Sequence, residues 1–131
     1  MFDILQPNGW PRPKGYANGI KATGAMVFTA GVIGWNEQEV FEHSGLVGQL
    51  RQILVSTKAI LAEAGAEPEH IVRMTWYICD RAEYTSQLPE IGTVWREVMG
   101  RVFPCMTCVQ VAALIEDTAR IEIETTAMIP D

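Results

Sequence analysis

Basic residues are scarce in this chain of 131 residues: 10 Lys and Arg stand against 16 Asp and Glu, a formal net charge of -6. Affinity for a polyanion comes mainly from Lys and Arg neutralising phosphates, so the deficit argues against a nucleic-acid partner and against an anionic membrane surface. Histidine is scarcer still. His43 and His70 stand alone, outside any ligand-like repeat and beside loop signals, so no metal site is expected of them. Three cysteines, Cys79, Cys105 and Cys108, are an odd number in a chain large enough to need no disulfide framework, which points to a reducing cytoplasm. No apolar run approaches the ~18 residues of a membrane span. The start, Met1–Pro7, lacks a basic segment, so export is not expected. Gly15, Gly19, Gly24 and Gly31 form no phosphate loop, because no strand-to-helix junction and no Gly-Lys-Ser/Thr follow them. With no repeat, low-complexity tract or linker-like shift in composition, residues 1–131 read as one domain.

What is present suffices for a core. Hydrophobic residues make up 48% of the chain. At 14.6 kDa, surface scaling gives about 6,900 Å² folded against about 21,000 Å² unfolded, so roughly two-thirds of the surface can be buried.

Pro7–Gly15 is dense in turn formers and predicts an irregular arm, with sheet structure beginning after it. Tyr16–Ala22 and Ala25–Ala30, joined at Thr23-Gly24, predict a hairpin whose second strand is broken or bent at Gly31 and Gly34. From Ser44 the period changes. Leu46, Leu50, Ile53, Ile60, Leu61 and Ala64 fall at helical spacings with Gln49, Arg51, Gln52 and Lys58 off the stripe, Ser44 serving as N-cap and Gly65 as the stop. Ile71–Cys79 alternates as a strand, with Val72, Met74, Trp76 and Ile78 opposite Arg73, Thr75 and Tyr77. Asp80 suits the cap of a turn, and Ile91, Val94, Trp95 and Val98 make a shorter amphipathic helix stopped by Gly100.

Pro104–Ala112 and Arg120–Ile129 complete the strands, the last with Ile121, Ile123, Thr125 and Ala127 opposite Glu122, Glu124 and Thr126. Two helices cannot cover both faces of such a sheet, so the predicted fold is α+β, a two-layer sandwich with both helices on one face. The other face would carry Glu122 and Glu124 beside apolar neighbours such as Met106 or Val109, a mixture suited to a subunit interface with an enclosed pocket.

Cys105-Met106-Thr107-Cys108 has the spacing of half a zinc site or a redox pair. On a strand, however, positions three apart point to opposite faces and the sulfurs diverge. Glu122 and Glu124 share a face, about 7 Å apart, a spacing open both to paired acid–base chemistry and to an ordinary solvated strand. Trp35, Trp76 and Trp95 read as core or interface residues.

Taken in order, Gly15–Gly19, Phe28-Thr29-Ala30-Gly31, the helix Gln49–Gly65, Ile71–Asp80, Phe103-Pro104, Cys108-Val109-Gln110-Val111 and Ile121-Glu122-Ile123-Glu124 resemble the Rid family, also called YjgF or liver perchloric-acid-soluble protein. The resemblance covers nearly the whole chain. It implies a chorismate-mutase-like fold and a homotrimer with sheets facing inward and a small-molecule pocket at each subunit interface. Active members of that family hydrolyse enamines and imines, such as 2-aminoacrylate, to the keto acid and ammonia without a metal or organic cofactor. An arginine after Pro-Ala holds the substrate carboxylate, and a glutamate on the last strand handles water.

Carried over residue by residue, Glu122 matches that glutamate and Tyr16 the family's pocket tyrosine, and both are assigned to catalysis. The arginine position is Met106. Ala30 and Val32, flanking Gly31, replace the serine and glutamine of a Thr-Ser-Gly-Gln turn, and Gly92 stands for an asparagine ahead of the second helix. Cys105, beside the missing arginine, either lines the pocket or faces the helices. Losing the arginine removes about 1.5–3 kcal/mol of charge-assisted hydrogen bonding to a carboxylate. The expected activity is therefore hydrolysis of an enamine or imine lacking the usual α-carboxylate. A non-catalytic ligand-binding or chaperone-like trimer is the alternative, and the family's older label of ribonuclease or translation inhibitor fits the acidic charge worst.

Overall fold

The computed structural model describes residues 2–131. Seven strands and three helices run β1 (Asp3–Ile4), β2 (Ile20–Lys21), β3 (Ala25–Phe28), β4 (Val32–Ile33), α1 (Leu46–Ala62), β5 (Ile71–Ile78), α2 (Arg81–Ser86), α3 (Leu88–Met99), β6 (Cys105–Gln110) and β7 (Ile121–Ile129). The main sheet has the order β3-β7-β5-β6, with β4 also on β7. β7 runs antiparallel to β3, β4 and β5, whereas β5 and β6 are parallel. A parallel pair requires a crossover, and α2 with α3 supplies it. The result is the predicted α+β sandwich, with the two main helices α1 and α3 against a mixed sheet.

Strict alternation explains why β7 sits inside the sheet. Ile121, Ile123 and Ala127 are fully buried and Thr125 nearly so, all beneath the helices. α1 adds Leu46, Leu50, Ile53, Leu54 and Leu61, and α3 adds Ile91, Val94, Trp95 and Met99. Trp76 of β5 packs against Trp95 with ring centroids 6.1 Å apart. Trp95 Nε1–H donates to the Val102 carbonyl at 2.9 Å, satisfying the polar end of a buried ring. Trp35 lies outside this cluster, half-buried against Phe41.

Several local expectations fail for identifiable reasons. The hairpin between Tyr16–Ala22 and Ala25–Ala30 does not form. Ile20–Lys21 pairs instead with Asp3–Ile4, so a strand precedes the proline-rich arm, and β3 joins β7. Gly24 marks the divergence: a Cβ there would lie 2.0 Å from the Ile129 carbonyl oxygen, at a φ of +138°. Gly45, not Ser44, caps α1, without a side-chain bond. Along α1 the apolar stripe includes Gln49, which is fully buried, whereas Ile60 is 43% exposed and Ala64 is exposed. On β5 a bulge between Ile71 and Arg73 resets the alternation, so Ile71 rather than Val72 enters the core. Asp80 caps a whole six-residue helix, its carboxylate accepting from the Ala82 and Glu83 N–H groups. Among the described residues no helix is long and apolar enough to cross a membrane.

Candidate functional site

The sheet face turned away from the helices carries the candidate chemistry. Register places Arg73, Thr75 and Tyr77 of β5 level with Cys105, Thr107 and Val109 of β6. Tyr77 is also level with Glu122, and Thr75 with Glu124, on β7. Opposed residues share a face, so Glu122, Glu124, Tyr77 and Val109 lie on one side, as the alternation predicts. Met106 does not join them. It is level with Met74 and packs at the edge of the helix-side core, as does Cys108. The expectation that Met106 lies beside Glu122 on the outward sheet face is corrected by one residue of strand parity.

Glu122 is held by close main-chain packing. A Cβ built on Gly31 would fall 2.1 Å from Glu122 Oε2, so the carboxylate lies where only glycine leaves room. The turn beneath it is tied to β7 twice: Thr29 N–H donates to the Thr125 carbonyl at 2.9 Å, and Thr125 N–H donates to Thr29 Oγ1 at 3.1 Å. Because the crowded atom ends a flexible side chain, Gly31→Ala should displace the carboxylate rather than unfold the turn. For the catalytic role that the family resemblance implies for Glu122, the expected outcome is a loss of about tenfold or more in turnover, from misplacement of the carboxylate, with a nearly unchanged melting temperature. Parallel activity and melting measurements check it.

Of the residues flanking Gly31, Ala30 is exposed. Val32 is level with Ile123 and packs toward the helices, so its assignment to the pocket is corrected. Ile33, level with Glu122, takes the outward place. Gly92 is also corrected: it lies inside α3 rather than ahead of it, at the position facing Arg96 one turn on.

Tyr77, which shares this face with Glu122 and Glu124, is absent from the sequence assignments. Its hydroxyl donates to Glu124 Oε1 at 2.8 Å. The Glu124 hydrogen bond chiefly, reinforced by the nearby Glu124 and Glu122 charges, pushes the phenol above its ordinary range, so Tyr77 remains a proton donor near neutrality. The alternation of Arg73, Thr75 and Tyr77 against the core already placed it on the Glu122 side. Glu124, Arg73, Thr75 and Phe28 border a hollow of about 210 Å³ on this face.

Tyr16 lies at another corner. Ala17 N–H donates to the Pro104 carbonyl at 3.1 Å, which ties Tyr16 to the start of β6, level with Arg73 and Thr126. Glu122 is four residues along β7 from Thr126, about 13 Å at ~3.3 Å per residue, so the fold of the chain does not bring Tyr16 and Glu122 together.

The cysteines diverge as predicted. Cys105 shares the outward face with Arg73, which resolves its orientation, while Cys108 faces Tyr84 of α2. Burial pushes the Cys108 thiol up, and burial, with Cys108 nearby, pushes Tyr84 to about 12, so neither ionises readily. Cys79 donates to the Ala119 carbonyl. Among the described residues no three His, Cys, Asp or Glu side chains cluster as metal ligands. His43 is exposed, and His70 Nδ1 accepts from the Glu67 N–H at 2.9 Å as part of a local cap.

Comparison with known proteins places this geometry among relatives. The Endoribonuclease L-PSP family model matches residues 11–129. The 2-iminobutanoate/2-iminopropanoate deaminase of Escherichia coli K12 is 31% identical over 113 residues, 86% of each chain. Among solved structures, the Rid-family protein YyfB of Yersinia pestis, of unknown function, superposes with a TM-score of 0.86 at 25% identity, covering 98% of both chains. TdcF of E. coli with bound serine gives a TM-score of 0.68 at 30% identity, covering 97% of this chain and 98% of that one.

Proposed function

The chain belongs to the Endoribonuclease L-PSP family, the Rid or YjgF group, whose imine deaminase activity is represented among its relatives, and we propose that it is a trimeric hydrolase of an enamine or imine lacking the usual α-carboxylate. The observation that carries this reading is the carboxylate of Glu122 seated against Gly31 on the outward sheet face.

The chemistry needs little else. Water adds to the C=N carbon as Glu122 takes one of its protons and passes it to nitrogen, giving a carbinolamine; the hydroxyl proton then moves through the same carboxylate to the amine, the C–N bond breaks as the C=O bond forms, and ammonia leaves behind a carbonyl compound. Tyr16, about 13 Å away along the strand direction, would meet Glu122 only across a boundary between copies. A homotrimer with inward-facing sheets would supply that boundary and cover Met26 and Phe28, 56% and 64% exposed in the protomer. The substrate preference rests on the absence of an arginine from position 106: Met106 packs toward the helices, and nothing there can donate to a carboxylate as a guanidinium does. Three free cysteines suit a reducing cytoplasm.

Two measurements test the proposal. Light scattering should give three times the 14.6 kDa protomer mass, and a mass near one protomer would refute the trimer. Purified protein should release ammonia from N–H ketimines without an α-carboxylate faster than from 2-aminoacrylate, and the reverse preference would overturn the role given to Met106. Saturable ligand stabilisation with no ammonia release would favour a non-catalytic binding trimer instead.

A further inference from the structure

A cleft of about 660 Å³ lies away from Glu122, between the β1–β2 ribbon with its arm, the start of β5 and the segment leading into β6. Phe2, Ile4, Tyr16 and Phe103 line it, and so do Arg12 and Arg101. Its volume falls within the roughly 300–1,000 Å³ typical of sites for drug-sized ligands. An imino acid of three or four carbons would leave most of it to water.

The charges narrow the ligand further. In a chain with a net charge of -6, two of the basic residues converge on this cleft. Among the described residues neither Arg12 nor Arg101 forms an ion pair, the pairs being Arg51 with Glu97 and Arg120 with Glu83. Glu69 also lines the cleft and offsets one of the two guanidiniums, leaving a formal charge of about +1, which matches one carboxylate better than a dianion. Aromatic walls with a few polar groups suit an apolar body oriented by one charged end.

We propose that this cleft receives the body of the substrate: an imine or enamine whose aromatic or branched apolar group lies between Tyr16 and Phe103, whose carboxylate, remote from the C=N carbon, meets Arg12 and Arg101, and whose C=N carbon projects past Tyr16 toward Glu122 of a second copy across the boundary proposed above. The proposal rests on the hydrolytic role of Glu122 for the word substrate, but the binding step stands without it. It also reconciles Met106 with an acidic ligand, since the acid is recognised at the far end of the molecule and not beside the reacting carbon.

Calorimetric titration with 4-phenylbutanoate, 4-phenylbutan-1-ol and pyruvate separates the two. The acid should bind about tenfold or more tightly than the alcohol, from charge-assisted bonds to guanidinium, and pyruvate should not compete. The Arg12→Gln, Arg101→Gln double variant should abolish the acid's advantage while leaving the alcohol's affinity unchanged, and Phe103→Ala should weaken acid and alcohol together. All four side chains are at least partly solvent-exposed, and melting curves would verify the folding of each variant. An acid preference retained in Glu122→Gln supports the cleft even if no imine is ever hydrolysed, in which case the hydrolytic reading alone fails. Equal affinity for acid and alcohol, an advantage that survives the double substitution, or effective competition by pyruvate would overturn the cleft proposal whatever the turnover.

Discussion

Glu122→Gln is expected to slow imine hydrolysis by about 10²–10⁴-fold, the usual contribution of a positioned acid–base group, with a melting temperature within about 2 °C of the parent. Gln keeps the shape that packs against Gly31, so the fold is spared, but an amide cannot take the proton of the attacking water. Glu124→Gln is the matched comparison. Glu124 accepts the Tyr77 hydroxyl at 2.8 Å, so its replacement removes one hydrogen bond next to the site and should cost much less activity. Measured as initial rates of ammonia release, equal rates for parent and Glu122→Gln would refute the catalytic assignment. Equal losses in the two variants would move it to the pair.

Gln49→Leu should be among the most destabilising single substitutions, by about 3–5 kcal/mol. Gln49 Nε2 donates to the His43 carbonyl at 3.1 Å and to the Thr118 carbonyl at 2.8 Å, and its Oε1 accepts from the Arg120 N–H at 2.7 Å. One amide thus ties the approach to α1 and the segment before β7 to the helix. Gln49 itself is fully buried, whereas His43 and Thr118 are exposed and Arg120 is half-buried, so the three main-chain groups keep some access to water and each lost partner costs toward the lower end of about 1–3 kcal/mol. The close fit leaves little room for repair, since a Cβ on Gly34 would lie 2.5 Å from the Gln49 Cβ. Urea denaturation gives the difference from the shift in midpoint. Gln52→Leu, which loses only a bond to Ser56 Oγ, should shift it by no more than about 0.5 kcal/mol. Comparable shifts for the two would show that the tie carries no special stability.

Gln49 also shows how periodicity and polarity give conflicting signals. Leu46, Gln49, Leu50, Ile53, Leu54, Thr57 and Leu61 form the buried stripe, at i, i+3, i+4, i+7, i+8, i+11 and i+15, so spacing alone includes Gln49. Its polarity argued it off the stripe, because the carbonyls that satisfy it come from residues 6 and 69 positions away and leave no local trace. Ile60 errs in the opposite direction, apolar yet largely exposed.

At the site, alternation was enough to place Glu122, Glu124, Tyr77 and Val109 together. Met106 and Val32 were misplaced because their matched position in the family pattern was carried over without strand parity. A motif read along the chain does not say which face each residue takes when two elements meet at an edge. Tyr77 was missed for a different reason: its importance lies in a bond to Glu124, 47 residues away.

Composition and patterning by themselves establish an acidic α+β chain, two main amphipathic helices, a buried face on the last strand and a glutamate on its reverse, since charge balance and side-chain period are local properties. Pairing is not local. Which strand joins β2, the bulge that brings Ile71 rather than Val72 inward, the bonds that satisfy Gln49 and the separation of Tyr16 from Glu122 all depend on backbone groups meeting across many residues, where the free energy of partners brought together decides the outcome.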